Sequence, residues 1–311
     1  MALGKVSVNN LNLGQGAVTE IERYFLFIGP AAKNVGALLA LNTDSDLDGA
    51  LGIAASDLKT QITAARLNGG DRWACVAAPI GQDEDWPAAL ERAQQQGYSV
   101  EAIVITEPVT TGVELSKMHE AAVRLNDTYG RRSFVMAASS GIAIAQTWAQ
   151  YLTEQRAITA DLAAPRVLVV PQLHGNDLGV LAGRLANTAA SIADSPMRVA
   201  TGAVLGLGPT PQDSENVPLP TATRAELDKA RFSVSQTYSD FPGVYWGDGN
   251  LLDTPTSDFL VIEYLRLADK ASRQVRPLLI RRVADRRLNS TANSMAVAVA
   301  ALLTPLRAMA N

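Results

Sequence analysis

His174 and Asp177 are the residues whose types and spacing could most readily support catalysis. They lie in the loop PQLHGND, which follows the apolar run at residues 166–170. Since α/β sheets place their sites at the carboxyl ends of strands, this pair could act with Ser139 or Ser140 as a hydrolase triad. The stretch SSGIA, however, lacks the G-x-S-x-G elbow that exposes a nucleophile on a strained turn. We therefore favour the alternative, in which Asp177 caps the next helix and His174 is a loop residue.

Other candidate ligand-binding patterns are incomplete. Gly29 and Pro30 follow the apolar run FLFI, but neither G-x-G-x-x-G nor a G-K-[ST] phosphate loop is present. Asp44, Asp46 and Asp48 match the first half of a calcium loop, yet Ala55 occupies the position of its bidentate glutamate. We interpret these aspartates as part of a solvated loop. The sequence predicts no catalytic, cofactor-binding or metal-binding residue, and so no enzyme.

A basic segment near the end of the chain has the spacing of an amphipathic helix. We expect Ser257 or Asp258 to cap it, because a short side-chain oxygen satisfies the free amides of a first turn, and Pro277 to kink or end it. One face is apolar, with Val261, Tyr264, Leu265, Ala268, Ala271, Val275, Leu278 and Leu279. The other face is charged, with Glu263, Arg266, Asp269, Lys270, Arg273 and Arg276, and the basic residues continue through Arg281, Arg282, Arg286 and Arg287.

The basic face has two alternative interpretations, a solvated helix surface or a contact with an acidic protein. We favour the contact and predict Arg266, Lys270, Arg273 and Arg276 as interface residues. Nucleic acid is disfavoured, because aromatic residues that could stack on bases are not interleaved there. Ahead of the helix, residues 244–246 suit a strand, and we expect Trp246 to lie in the core.

These segments resemble the C-terminal region of contractile phage tail sheath subunits. The similarity rests on GVYWGDGNLL at residues 243–252, on the helix that ends in VRPLLIRRV, and on SPMRVATGAVLGL at residues 195–207. It implies a structural subunit that polymerises around a tail tube and contracts to drive the tube through a host envelope. The implied partners are further sheath subunits joined by strand exchange, the tail tube, the baseplate and the tail terminator. The implied location is the virion tail, assembled in the host cytoplasm.

Apolar runs alternate with amphipathic segments along the chain. The runs lie at residues 24–28, 73–78, 100–105, 133–138, 166–170 and 199–207. Helical patterns lie at 56–67, 86–96, 113–128, 142–158 and 178–193, and an alanine-rich helix is expected from 289 as far as Pro305. Because near-continuously apolar strands are buried on both faces, we predict an α/β fold with a largely parallel or mixed sheet covered by helices.

The N-terminal residues are predicted to form an extended arm. Val6, Val8, Leu11 and Leu13 alternate with small polar residues, which suits an edge strand of the protein's own sheet or a strand added to a neighbouring subunit. The resemblance favours the exchanged arm. We divide the chain into this arm (1–18), an α/β core (19–208), a proline-rich loop (209–220) and a C-terminal part of the core (221–311).

Composition sets further bounds. The chain has 311 residues, a net charge of −4 and one cysteine, Cys75, so neither an intrachain disulfide nor a cysteine-rich zinc site is possible. The start of the chain lacks the apolar centre of a signal peptide. The longest apolar run, at 295–303, is about half of a membrane span. We expect a soluble protein without membrane insertion.

Sheath subunits usually continue into a second arm, so a sequence ending at Asn311 is either a piece of a longer chain or lacks that arm. A doubly wound enzyme with a site near His174 is the alternative function.

Overall fold

The apolar runs of the sequence form the strands of one large sheet. The structure is a computed structural model that describes residues 21–81, 83–285 and 289–309. Runs such as FLFI and VLVV are fully buried because helices cover both faces of the sheet. The strands are β1 (Phe25–Pro30), β2 (Leu39–Asn42), β3 (Ala74–Ile80), β4 (Ala102–Val109), β5 (Phe134–Ser139), β6 (Ala164–Pro171), β7 (Ser235–Tyr238), β8 (Phe241–Trp246) and β9 (Leu251–Leu252).

The main sheet is mixed, with a parallel centre. Its order is β2-β3-β1-β4-β5-β6-β9. The five central strands are parallel, whereas β2 and β9 pair antiparallel at the two edges. The predicted α/β class is therefore confirmed. We call the side where the parallel strands begin the amino edge, and the side where they end the carboxyl edge.

Helices form a layer on each face of the sheet. They are α1 (Leu47–Leu51), α2 (Asp57–Asn68), α3 (Trp86–Gln95), α4 (Gly112–Tyr129), α5 (Trp148–Thr159), α6 (Asp177–Ala186), α7 (Thr221–Lys229), α8 (Ile262–Ile280) and α9 (Ala292–Met309). Residues of α3, α4, α5 and α7 share one apolar core, and residues of α1, α2 and α6 share the other. Glycine sets the spacing of α2 and α6, since a Cβ at Gly179 would lie 2.1 Å from the carbonyl oxygen of Gln61.

Several predicted boundaries are wrong. The predicted helix at 142–158 begins only at Trp148, because Thr147 and Gln150 form a capping box there. The predicted helix at 178–193 ends at Ala186, where Asn187 turns the chain by accepting a hydrogen bond from the amide of Ala189. The predicted strand at 199–207 is a single 3-10 turn, Val199–Thr201, followed by a loop.

The C-terminal part joins the main sheet through one short strand. Residues 209–220 form turns and an isolated bridge between Gln212 and Pro218, as expected of a proline-rich loop. After α7, β7 and β8 make a separate two-stranded hairpin, and β9 then pairs with β6. The final helix, α9, continues past Pro305 to Met309, so the prediction that it would stop at the proline is wrong.

Candidate assembly interface

Trp246 lies at the centre of the segment that precedes α8. Its side chain is fully buried, and its indole nitrogen donates a hydrogen bond of 2.9 Å to the hydroxyl of Ser233. That hydroxyl in turn donates to the carbonyl oxygen of Asp248 at 2.6 Å. The prediction that Trp246 belongs to the core is confirmed, and the polar end of the ring is satisfied inside it.

The turn after Trp246 places the start of α8. The amide of Ile262 donates to the carbonyl oxygen of Gly249 at 2.8 Å, and a Cβ at Gly249 would lie only 2.3 Å from a methyl carbon of Ile262. Glycine is thus required for this approach. Asn250 fixes the turn from the other side through hydrogen bonds to Asp228 and to the carbonyl oxygen of Phe232.

Helix α8 begins and ends later than the sequence indicated. Its N-cap is Val261, without a side-chain cap, instead of Ser257 or Asp258. The extended backbone of Val261 pairs with Asn250, so strand-like pairing holds this end in place of a capping side chain. The helix also continues one turn past Pro277, to Ile280, because a proline in the last turn removes a single hydrogen bond.

A buried ion pair holds the middle of α8 against the sheet. The guanidinium of Arg266 donates two hydrogen bonds, of 2.7 and 2.9 Å, to the carboxylate of Glu101. Arg266 is 2% exposed and Glu101 is 1% exposed. The backbone amide of Arg23 also donates to Glu101, at 2.5 Å. Burial by itself raises the pKa of the Glu101 carboxyl, but Arg266 and the Arg23 amide outweigh burial, so its pKa lies below the usual value.

Further ion pairs follow along the same side of the helix. Asp269 accepts two hydrogen bonds from Arg166, of 2.8 and 2.9 Å. Arg273 lies 2.8 Å from Glu22 and also donates to the carbonyl oxygen of Arg132 at 3.2 Å. Positions 266, 269 and 273 share one helix face. The charged side of α8 therefore faces the protein.

This arrangement corrects part of the predicted interface. Arg266 is buried, so the prediction that it faces an acidic partner is wrong. Arg273 is used in an ion pair within the chain, with its side chain 10% exposed. Lys270 is half-buried and Arg276 is exposed, and these two remain predictions as interface residues. Conversely, Tyr264 and Leu279 of the predicted apolar face are exposed.

The carboxylates that hold α8 were missed in the sequence. Glu22 and Glu101 each stand just before a buried strand, at the amino edge. A charged residue next to an apolar run reads as the solvated end of a strand, unless a basic helix is known to cross that edge. The alternating charges of α8 indicate that this helix forms ion pairs, but they do not identify which residues are the partners.

The last helix carries an exposed apolar surface. Met295, Val297 and Val299 are each about half exposed, and Ala298 is the buried apolar residue of α9. α9 packs against α8. Among the described residues, it is the one helix long and apolar enough to cross a membrane by length and composition.

The structure brings His174 and Asp177 together, whereas the Ser139 hydroxyl bonds to a different residue. Nδ1 of His174 lies 2.8 Å from a carboxylate oxygen of Asp177, and both residues are buried. Asp177 also accepts from the backbone amide of His174 at 2.6 Å, so it braces its own loop, whereas the N-cap of α6 is Asn176. The predicted capping role of Asp177 is thus wrong. Ser139 donates to Gln155 at 2.7 Å within the core.

The aspartate loop has structural roles. Asp46 caps α1 by accepting from the amide of Gly49, and Asp48 forms an ion pair with Lys59. Within the described part of the chain, no group of three or more His, Cys, Asp or Glu residues is placed to hold a metal ion. Val6, Val8, Leu11 and Leu13 lie outside the described residues.

Comparison with known proteins places the chain in a family. Residues 3–250 match the DUF2586 N-terminal domain and residues 258–311 match the DUF2586 C-terminal domain. A protein of Haemophilus phage HP1 (strain HP1c1) named "Putative tail sheath protein" is 40% identical over 98% of this chain and 83% of its own length.

Solved structures share the fold across most of both chains. The sheath complex of an extracellular contractile injection system, PVC, in its contracted state, has a TM-score of 0.64 at 15% identity, over 99% of this chain and 82% of that one. The baseplate structure of the anti-feeding prophage contains a chain with a TM-score of 0.60 at 16% identity, over 99% and 84%.

Proposed function

Since the chain belongs to the DUF2586 family and to the phage tail sheath proteins, we propose that it polymerises around a tail tube and contracts to drive the tube through a host envelope. The observation that carries this proposal is the 40% identity to a tail sheath relative over 98% of the chain. The protein acts as a structural subunit of the virion tail and not as an enzyme. Its subunits are assembled in the host cytoplasm.

The inner partner of the sheath is the tail tube. Arg276, near the end of α8, offers an exposed cation for an acidic surface on the tube, and Lys270 lies on the same helix. Baseplate and tail terminator proteins contact the two ends of the sheath. The segment with Val6, Val8, Leu11 and Leu13 joins neighbouring subunits by adding a strand. We expect neither nucleic acid as a partner nor insertion into a membrane.

The geometry of the His174 site favours this function over hydrolysis. A triad requires a nucleophile within hydrogen-bond reach of the histidine. The contact between Asp177 and Nδ1 of His174 is one that a triad also uses, but the Ser139 hydroxyl donates to Gln155 instead of His174. The cluster therefore stabilises the loop between β6 and α6.

Electron microscopy of the full-length chain tests the proposal. Negative-stain images, taken with and without the cognate tube protein, should show tubes or coated tubes, whereas an α/β enzyme would give compact particles only. Deleting residues 1–15 should abolish ordered tubes while leaving the unfolding temperature of the core nearly unchanged. Compact particles under all assembly conditions would contradict the proposal.

A charge reversal tests the tube contact separately. Arg276→Glu should weaken co-sedimentation with the tube more at low than at high salt, since exposed charge pairs are screened. Arg124→Glu, an exposed position on α4, is the matched control and should leave binding unchanged. Equal tube binding by both variants would remove Arg276 from the interface.

A further inference from the structure

Charge is distributed unevenly along this chain. Residues 258–311 contain nine Lys and Arg against four Asp and Glu, a balance of +5. The first 257 residues contain 18 Lys and Arg against 27 Asp and Glu, a balance of −9. A net charge of −4 therefore hides two regions of opposite sign.

The basic region lies across the amino edge of the sheet. The ion-pair partners of α8 include Glu22, Glu101, Arg132 and Arg166, which stand before or near the start of β1, β4, β5 and β6. Beyond these pairs, the last residues of α8 and the turn that follows expose apolar and basic side chains together. We call Leu279, Ile280, Arg281 and Val283 the α8 tip.

The α8 tip has the composition of a contact surface. Leu279 and Ile280 are about half exposed, Val283 is 76% exposed, and Arg281 is exposed between them. Exposed apolar side chains that cluster, with charges beside them, mark interaction sites. Arg276 lies five residues earlier, about 140° away around the helix, so it points away from Arg281.

The carboxyl edge of the sheet carries the opposite charge. Glu107 lies near the end of β4, Asp57 opens α2 and Asp85 caps α3, and all three are exposed. Burial of part of the Glu107 side chain and repulsion from Asp57 and Asp85 raise the pKa of its carboxyl. Asp57 and Asp85 also stabilise their helices, whereas Glu107, on a strand, has no such role.

Exposed apolar residues also lie in segments at the carboxyl edge. Ile53 is 87% exposed before α2, Val113 is 64% exposed at the start of α4, and Ile144 is 97% exposed in the loop after β5. Each stands in a segment next to the carboxyl end of the sheet. We call these residues, with Asp57, Asp85 and Glu107, the acidic edge.

We propose that the α8 tip of one subunit docks on the acidic edge of a second copy of this chain. The two surfaces are complementary in charge, because the α8 tip is basic and the acidic edge is acidic. Both also carry exposed apolar side chains that the contact would bury. They lie at opposite edges of the sheet, so the contact is head-to-tail. Such a heterologous contact propagates from copy to copy instead of closing into a dimer. The inference rests on the proposed function and names surfaces through which the subunits associate.

Charge reversal of both surfaces tests the inference on the full chain. Sedimentation velocity measures self-association of the wild type, Glu107→Lys, Arg281→Glu and the double variant. Each single reversal should raise the concentration for half-maximal association about tenfold or more, and the double variant should return to within about threefold of the wild type. Val283→Ser, which removes apolar surface without adding a charge, should also weaken association.

Matched controls separate this contact from general charge effects. Glu120→Lys and Arg124→Glu alter exposed residues on α4, and Arg276→Glu alters the proposed tube contact. None should weaken self-association, and circular dichroism should show that every variant folds. Single reversals that associate like the wild type, or a double variant no better than the singles, overturn the inference.

The result also separates this inference from the proposed function. Tubes that form with unaltered affinity in the reversal variants would overturn the docking of the α8 tip and leave the sheath function standing. A wild-type chain that stays monomeric and never coats a tube would overturn both.

Discussion

Replacing Glu101 with glutamine should destabilise the protein more than any exposed ion pair would. The change keeps the shape of the side chain but removes its charge, so the Arg266 guanidinium, 2% exposed, remains buried without a counter-ion. Removing one partner of a buried pair typically costs about 3–5 kcal/mol. Glutamine still offers one oxygen as an acceptor, so we expect a loss near the lower end, about 3 kcal/mol.

A double variant distinguishes the cost of an orphaned charge from the value of the pair. Glu101→Gln combined with Arg266→Met removes both charges and leaves the long side chain to pack. Because the double variant leaves no buried charge without a counter-ion, it should recover most of the lost stability. Glu226→Gln, in an exposed pair with Lys229 and Arg156, is the matched control and should show no measurable change.

Urea unfolding at pH 7 and at acid pH measures these effects. The pKa of Glu101 is lower in the folded protein than in the unfolded chain. The stabilisation is therefore complete above the unfolded value of about 4.3 and is lost as pH falls through the folded pKa. In the Glu101→Gln variant, the free energy of unfolding should therefore fall less steeply as the pH is lowered. Two results would refute the view that this pair anchors α8: a destabilisation below about 1 kcal/mol, or a dependence of stability on acid pH that is the same in the variant as in the wild type.

Three further changes test the segment around α8. Trp246→Ala should cost about 3–5 kcal/mol by leaving a cavity in the core, measured as a shift in the urea midpoint; a loss similar to that of an exposed residue would contradict its core position. Gly249→Ala should lower the unfolding temperature, because the added Cβ would lie 2.3 Å from Ile262; an unchanged value would mean that the turn adjusts freely. Val297→Asn, on the exposed side of α9, should leave the unfolding temperature unchanged. Neither the wild type nor this variant should bind vesicles in a flotation assay. If the wild type binds vesicles and the variant does not, α9 is a membrane contact.

The sheet could be predicted from the sequence because its strands have a simple signature. Runs such as FLFI and VLVV are continuously apolar, and burial on both faces of a helix-covered sheet is what produces that pattern. The segment at 199–207 has similar composition, yet Gly202 and Gly206 adopt positive φ, which breaks an extended strand. There the chain passes over α6, and Arg184 binds the carbonyl oxygens of Pro196, Arg198 and Gly202.

The orientation of α8 could not be predicted from its periodicity alone. Helical spacing identifies an apolar face and a charged face, and the apolar face is usually expected to be the buried one. Here the partners of Arg266, Asp269 and Arg273 are separated from α8 by about 100 to 250 residues of sequence, so only the folded sheet brings them together. Trp246 could be predicted, because a large aromatic residue next to turn-forming glycines has few alternatives to burial.

Ion pairs suit the place where α8 crosses the sheet. Ile262 and Leu265 bury the start of α8 in the apolar core, and the ion pairs hold the turns that follow along the amino edge. Arg266 and Arg166 each bind a carboxylate through two hydrogen bonds, and this geometry fixes both the rotation of the helix and its position along its axis. The proposed contraction would repack rigid subunits, which requires that contact residues keep their direction within each subunit. The buried pairs fix the orientation of α8. They therefore also fix the direction of Arg276 and of the α8 tip, which lie near and just after the end of that helix.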